Sequence, residues 1–300
     1  MERRSLQRIE VKMVMSTDGQ SLSADAPSHT LADGQVIPWI TVGPGLREDR
    51  QATEMVAQAL DVGYRSIDTA SLYGNAAAIG RAVSASGIDR EDVTINTKIR
   101  GYDQGHLKHT KLAVTTTLRE LRTEYIDVAL IHWPLPALDL ALTTFEALLR
   151  LREDGYVHSV GVSNFTASQI RCIQERTGEW PVLNQVQLSP TVAQAGLRRA
   201  LSPTPVRIQS YRALETWSGI LHSRRVLEMA AAHGKSPTQI LLRWQRQIGT
   251  LPVIAATDRR HLRENLDTES FRLTDEEMGS LEGLDRGSRY APNSLTHFEL

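Results

Sequence analysis

The 300-residue chain has little of several things that would narrow its class at once. It holds one cysteine, Cys172, so no internal disulfide can form and a disulfide-stapled scaffold is excluded. No apolar run approaches the roughly 18 residues of a membrane helix. No Cys/His cluster has the spacing of a zinc site, so no metal is expected. Neither charge is in excess: 34 Lys and Arg against 35 Asp and Glu leave a net charge of -1, which gives no global positive field to recruit nucleic acid or an acidic membrane. No internal repeat and no low-complexity tract is present. What is there, 41% hydrophobic and 23% charged residues, is the composition of a soluble globule able to bury a sizeable core. The expected partner is a small molecule, the expected compartment a reducing cytoplasm, and the expected state a monomer.

Residues 1–28 are basic at first, through Arg3, Arg4 and Arg8, and hold only a short apolar run before a Ser/Ala/Asp/Pro stretch. A secretory signal needs a longer apolar region and a small-residue cleavage site, so this stretch reads as a disordered extension or a tag remnant. Residues 29–300 read as one domain.

From Thr30 onward short β-branched runs alternate with amphipathic stretches. Strands are expected at 40–43, 66–68, 93–99, 125–132, 158–162, 182–188, 206–211 and 252–255. Between them apolar residues recur at helical spacing, as in Met55, Val56, Ala59 and Leu60, or Leu142, Phe145, Leu148 and Leu149. Eight strand-helix units in this length predict a closed (β/α)₈ barrel; an open doubly wound sheet is the alternative. Asp33-Gly34 between two short strands predicts an N-terminal β-hairpin that plugs the barrel floor. Thr274 followed by acids, with Met278, Leu281 and Leu284 at helical spacing, predicts an extra C-terminal helix.

Chemistry in such a barrel sits at the C-terminal ends of the strands. Asp68, Tyr73, Lys98 and His132 fall there. Singly each has an ordinary reading: a helix cap, a packing residue, a surface charge, a satisfied core histidine. Together they line one side of one mouth, and a lysine inside a strand of Val, Ile and Thr needs a buried partner. Asp68 can neutralise Lys98, and the ammonium can lower the phenol pKa of Tyr73 from about 10 toward the working pH. Tyr73 is then a usable general acid for an oxygen that His132 also hydrogen-bonds, which is what a carbonyl needs while it accepts a hydride. The protein supplies no hydride, so a nicotinamide cofactor is expected.

The run from Gly63 through Asp68 and Tyr73 to Asn75, with Thr97-Lys98, Leu130-Ile131-His132-Trp133-Pro134, Val160-Gly161-Val162-Ser163-Asn164-Phe165 and Asn184-Gln185-Val186, resembles the aldo-keto reductases. Leu284-Asp285-Arg286-Gly287 and Tyr290 look most like bacterial members related to the diketogluconate reductases. The resemblance implies a (β/α)₈ fold and NAD(P)H-dependent interconversion of aldehydes or ketones with alcohols. It implies Tyr73 as acid/base, Lys98 and Asp68 as its tuning pair and His132 as the carbonyl orienter. Ser163, Asn164 and Gln185 match positions that hold the nicotinamide carboxamide, and Tyr211 the tyrosine stacked on its ring. Gly43, Arg212 and Leu214 fall in loops that line the cofactor, and Glu264 and Asn265 match the adenine contacts. Trp133 and Trp217 are expected in the substrate pocket, with the loop 134–140, the stretch 215–221 and the C-terminal tail.

The departures from the family pattern concern the cofactor. Where the family usually has Ile-Pro-Lys-Ser and, six residues past the lysine, an arginine, this chain has Val253-Ile254-Ala255-Ala256 and His261. Both charges that clamp the 2′-phosphate of NADPH are absent, leaving Arg259 and Arg260 as candidate substitutes. The resemblance therefore implies NADPH or NADH with a relaxed preference. Gly43-Pro44-Gly45 replaces a bulky pocket wall, so a more open mouth is expected. The competing readings are a catalytically weak nucleotide-binding or regulatory module, and a metal-dependent hydrolase or Schiff-base aldolase, for which only His132 and Lys98 are suitably placed.

Overall fold

The computed structural model describes residues 27–135, 140–287, 292–293 and 295–297. Its first elements are the expected hairpin, β1 (Ser28–Thr30) antiparallel to β2 (Val36–Pro38), turned at Gly34 with φ 91°. Strands and helices then alternate: β3 (Thr41–Val42), α1 (Asp49–Val62), β4 (Ser66–Asp68), α2 (Ala76–Ala85), β5 (Thr94–Ile99), α3 (Leu107–Leu121), β6 (Ile126–Ile131), α4 (Leu140–Glu153), β7 (Val157–Ser163), α5 (Ala167–Thr177), β8 (Leu183–Gln187), α6 (Ala195–Leu201) and β9 (Arg207–Tyr211). Two helices, α7 (Arg224–His233) and α8 (Pro237–Gln247), separate β9 from β10 (Leu251–Ile254), and α9 (Arg259–Leu266) and α10 (Asp275–Glu282) follow. All eight expected barrel strands are present, and they close in parallel in the order β10-β3-β4-β5-β6-β7-β8-β9. The open-sheet alternative is excluded because β10 pairs with both β3 and β9.

Local sequence explains the elements. Met55, Val56, Ala59 and Leu60 of α1 are all buried, and Gly63, at φ 116°, ends the helix with its N–H on the Ala59 and Leu60 carbonyls. Capping boxes start α5 at Thr166 and Gln169, α8 at Ser236 and Gln239, and α10 at Thr274 and Glu277. The C-terminal helix is thus where its threonine and acids placed it. Helix α7 is an addition to the one-helix-per-strand reading, capped by Ser223 and ended by Gly234 in the left-handed region.

Parallel register sets which residues share a layer. Asp68 lies opposite Asn96, Lys98 opposite Leu130, and Gln185 opposite Gln209. Gly161 is required where it stands, since a Cβ there would come within 2.7 Å of Leu130 Cδ2 and 2.8 Å of the Leu183 carbonyl. The hairpin sits at the N-terminal ends of the strands. Trp39, just after β2, donates its indole N–H to the Thr250 carbonyl at 2.8 Å, and His29 meets Arg246 at the end of α8. Residues 1–26 of the expected extension lie outside the described residues.

Candidate active site

The mouth of the barrel is built around one buried ion pair. Lys98 Nζ donates to Asp68 Oδ2 at 2.6 Å and to the Thr69 carbonyl at 2.9 Å, with Lys98 only 1% exposed. Asp68 ends β4 and Lys98 lies one residue before the end of β5, so adjacent strands deliver the two charges side by side. The second carboxylate oxygen of Asp68 accepts from Gln185 Nε2 at 2.7 Å, and the same amide donates to Gln209 Oε1 at 2.7 Å. Every charge in this cluster is therefore hydrogen-bonded, which the low dielectric of the interior demands.

Tyr73 stands over this pair. It closes a short 3₁₀ turn, Ser71–Tyr73, ended by Gly74 at φ 66°. Ser71 pins the turn by donating to the Lys98 carbonyl at 3.2 Å and the Asp103 carboxylate at 3.1 Å. Asn75 ties it to the loop after β3 through a 2.6 Å bond to the Gly45 carbonyl. Lys98 Nζ lies 5.4 Å from the centre of the Tyr73 ring, and the His132 ring meets that ring edge-on, centres 6.1 Å apart at 84°. His132 follows β6, where its N–H extends the ladder to the Ile99 carbonyl at 3.0 Å. The four expected residues are thus brought together on one side of the mouth.

The opposite side carries amides and hydroxyls. Ser163 Oγ donates to the Gln185 carbonyl at 2.8 Å, and Asn164 Nδ2 donates to the His132 carbonyl and to Ser163 Oγ, each at 3.1 Å. Asn164 is in the left-handed region, φ 64°, a conformation that asparagine tolerates, and its Oδ1 accepts from the Tyr211 hydroxyl at 2.8 Å. Gln185 spends its N–H groups on Asp68 and Gln209, and its Oε1 makes no hydrogen bond among the described residues. A carboxamide offers both donors and an acceptor, so this set of Asn, Ser and Gln beside a tyrosine ring has the chemistry to hold a nicotinamide.

A cavity of about 430 Å³ joins the two sides, reaching from Gly43 past Tyr73, His132 and Asn164 to Leu214 and Trp217. Trp133 and Trp217 both line it, as expected of the pocket residues, and Arg212 lies over the Trp217 ring at 4.9 Å. The loop 134–140 is only partly described, Tyr290 and Phe298 lie outside the described residues, and Pro292 of the tail lines the cavity.

The residues expected at the adenine end do not line this cavity. Arg259 forms an ion pair with Asp61 on α1, and Arg260 lies 3.8 Å from Glu264 and 3.4 Å from His261. Asn265 is buried beside the Tyr64 hydroxyl, which it hydrogen-bonds; burial first, against that bond, pushes the Tyr64 phenol far up. Asp258 caps α9 by accepting from the Arg260 and His261 N–H groups, and those bonds hold its carboxyl below the usual range.

Sequence reasoning missed two contributors. Gln209 sits two residues before Tyr211 on β9, so period-two alternation from Tyr211 would have placed it on the same barrel face. Arg47 enters the cavity wall from the loop after β3, held to the Pro44 carbonyl at 2.6 Å. Glu215, the first residue of the stretch expected in the pocket, does line the cavity and is bound by Thr191, but at 1% exposed and φ 41° it is buried, which nothing in its local sequence signals.

Comparison with known proteins identifies the family. The profile of the Aldo/keto reductase family matches residues 41–286. An aldo-keto reductase of Mycobacterium sp. (strain MCS) is 38% identical over 282 residues, covering 94% of this chain and 98% of that protein. The crystal structure of an aldo/keto reductase from Brucella melitensis superposes with a TM-score of 0.84 at 35% identity, covering 88% of this chain and all of the other. A variant of Gox0644 crystallised in complex with NADPH superposes at 0.85 with 32% identity, over 91% and 98% of the two chains. With nearly its whole length matched in sequence and in fold, the chain belongs to the aldo/keto reductase family and is an NAD(P)H-dependent oxidoreductase of aldehydes and ketones.

Proposed function

We propose that Tyr73 is the general acid for the carbonyl oxygen, that Lys98 and Asp68 tune it, and that His132 orients the carbonyl. The observation that carries this reading is the buried Lys98–Asp68 pair, 2.6 Å long, beneath the Tyr73 ring. When bound, the reduced nicotinamide supplies the hydride for the carbonyl carbon. Ser163, Asn164 and Gln185 hold its carboxamide and Tyr211 covers its ring. Tyr73 gives its phenolic proton to the carbonyl oxygen, and the Lys98 ammonium stabilises the phenolate left behind until solvent returns a proton. His132 donates a hydrogen bond to the same oxygen and so fixes the carbonyl as it gains negative charge. Asp68 keeps Lys98 an ammonium, which leaves that nitrogen no lone pair for Schiff-base chemistry.

The cofactor preference follows from the other end of the site. Ala255 and His261 stand where the family pattern has its two phosphate-clamping cations, Arg259 is engaged by Asp61, and the Asp258 carboxylate occupies the N-terminus of α9. These features support a weak preference for NADPH, with appreciable use of NADH. The ending Leu284-Asp285-Arg286-Gly287 supports placement beside the diketogluconate-type reductases. Purified protein should quench reduced-nicotinamide fluorescence and then oxidise the cofactor stoichiometrically with reduction of an aromatic aldehyde. Binding without turnover would favour the regulatory-module reading instead.

A further inference from the structure

A charged cavity lies at the opposite end of the barrel from the active site. A cavity of about 510 Å³ opens between α6, the start of β9, the turn before β10 and the end of α10. Arg198, Arg199 and Arg207 line it against one carboxylate, Glu282, which Arg198 engages at 3.3 Å. Arg199 and Arg207 make no side-chain ion pair or hydrogen bond among the described residues. Two exposed arginines without a side-chain charge partner among the described residues thus line one cavity, in a chain whose net charge is -1.

The positive charge of Arg207 also bears on a neighbour. His29 is held below the usual imidazole range first by burial, then by the positive charges of Arg246 and Arg207. A helix C-terminus does favour cations, and that accounts for arginines in the last turn of α6. It does not account for Arg207, which begins β9, nor for a cavity between the two elements. The wall is rigid as well: residues 202–205 read Ser-Pro-Thr-Pro, and Thr204 bonds the Leu201 carbonyl at 2.7 Å. Arg207 lies four residues from Tyr211 along β9, roughly 13 Å at strand rise, so this cavity is not a branch of the catalytic mouth.

We propose that this floor cavity binds a small phosphate-bearing anion, gripped between Arg199 and Arg207. Guanidinium forks on two elements match the several oxygens of a phosphoryl group better than the two of a carboxylate. A cavity of about 510 Å³ leaves room for an organic moiety beside the phosphate.

The experiment is isothermal titration of the full chain with inorganic pyrophosphate and with a hexose bisphosphate, at fixed ionic strength. Saturable binding with one site per chain is expected. Arg199→Gln and Arg207→Gln should each weaken it at least about fivefold and together abolish it, while NADPH affinity stays unchanged with or without the probe. Tighter binding of the bisphosphate would assign an organic phosphate, and equal binding an inorganic one. Should a glutamine variant melt early, Arg199→Lys and Arg207→Lys carry the same comparison by keeping the charge and losing the fork. No saturable binding of either probe, binding unchanged in the double variant, or displacement of the probe by NADPH would each overturn the assignment.

Discussion

Neutralising the buried pair in steps separates its structural from its chemical role. In Lys98→Met the Asp68 carboxylate stays buried with Gln185 as its remaining side-chain donor; in Asp68→Asn the Lys98 ammonium loses its counter-charge. Removing one partner of such a pair costs about 3–5 kcal/mol. For a chain of this length that lowers the melting temperature by roughly 5–8 °C. The double variant Asp68→Asn/Lys98→Met buries no charge at this position and should return to within about 2 kcal/mol of wild type, because neutral replacements of buried pairs are often tolerated. Activity should not follow stability back. Without a cation beneath it Tyr73 is a poor acid, and kcat should fall by about 10²-fold or more in Lys98→Met and in the double variant alike. Thermal melts and steady-state kinetics on all four proteins decide the matter. A double variant that regains activity along with stability would show that the pair only props up the fold.

Cofactor choice is the second prediction. Each missing charge-assisted contact is worth about 1.5–3 kcal/mol, or at least tenfold in affinity, so kcat/KM for NADPH should exceed that for NADH by well under a hundredfold. A larger preference that survives Arg259→Ala and Arg260→Ala would mean the phosphate is held by other groups. For His132→Ala, kcat should fall and KM rise together; kinetics unchanged in both would return His132 to the status of a packed core residue. The His233–Glu277 pair, 2.8 Å long, gives a pH-dependent stability term. Burial raises the Glu277 pKa, but bonds from the Thr274 N–H and His233 outweigh it and hold the carboxyl below its usual value. A depressed carboxyl pKa stabilises the fold above the unfolded value and stops doing so as pH falls through the folded one. Glu277→Gln should therefore lower the melting temperature by about 1–2 °C at neutral pH, a difference that fades as pH falls through the depressed Glu277 value; a difference that stays constant into acid would refute the sign.

Alternation of β-branched runs with amphipathic helices made the barrel legible, because strands buried on both faces and helices buried on one leave different periodicities. Thr274 and Asp33-Gly34 marked their elements by cap and turn chemistry, which is local. The four mouth residues were legible because position at a strand end, not sequence separation, decides what meets in a barrel. Apart from the Asp68–Lys98 pair, long-range pairings were not. Nothing near Arg259 announces Asp61, almost two hundred residues away, and nothing near Asp68 announces the Gln185 amide, 117 residues away. Helix α7 broke the expected alternation since one strand-to-strand connection holds two helices, a length effect that periodicity alone does not number. The burial of Glu215 was not legible because a carboxylate in a loop is ordinarily solvated, and only the folded-over loop buries it.

The most direct measurement of the central claim is Tyr73→Phe, which removes the proton donor and leaves the ring. Cofactor affinity, followed by nicotinamide fluorescence, should stay near wild type while NADPH-driven reduction of an aldehyde is abolished. More than a few per cent of wild-type kcat in that variant would contradict Tyr73 as the acid.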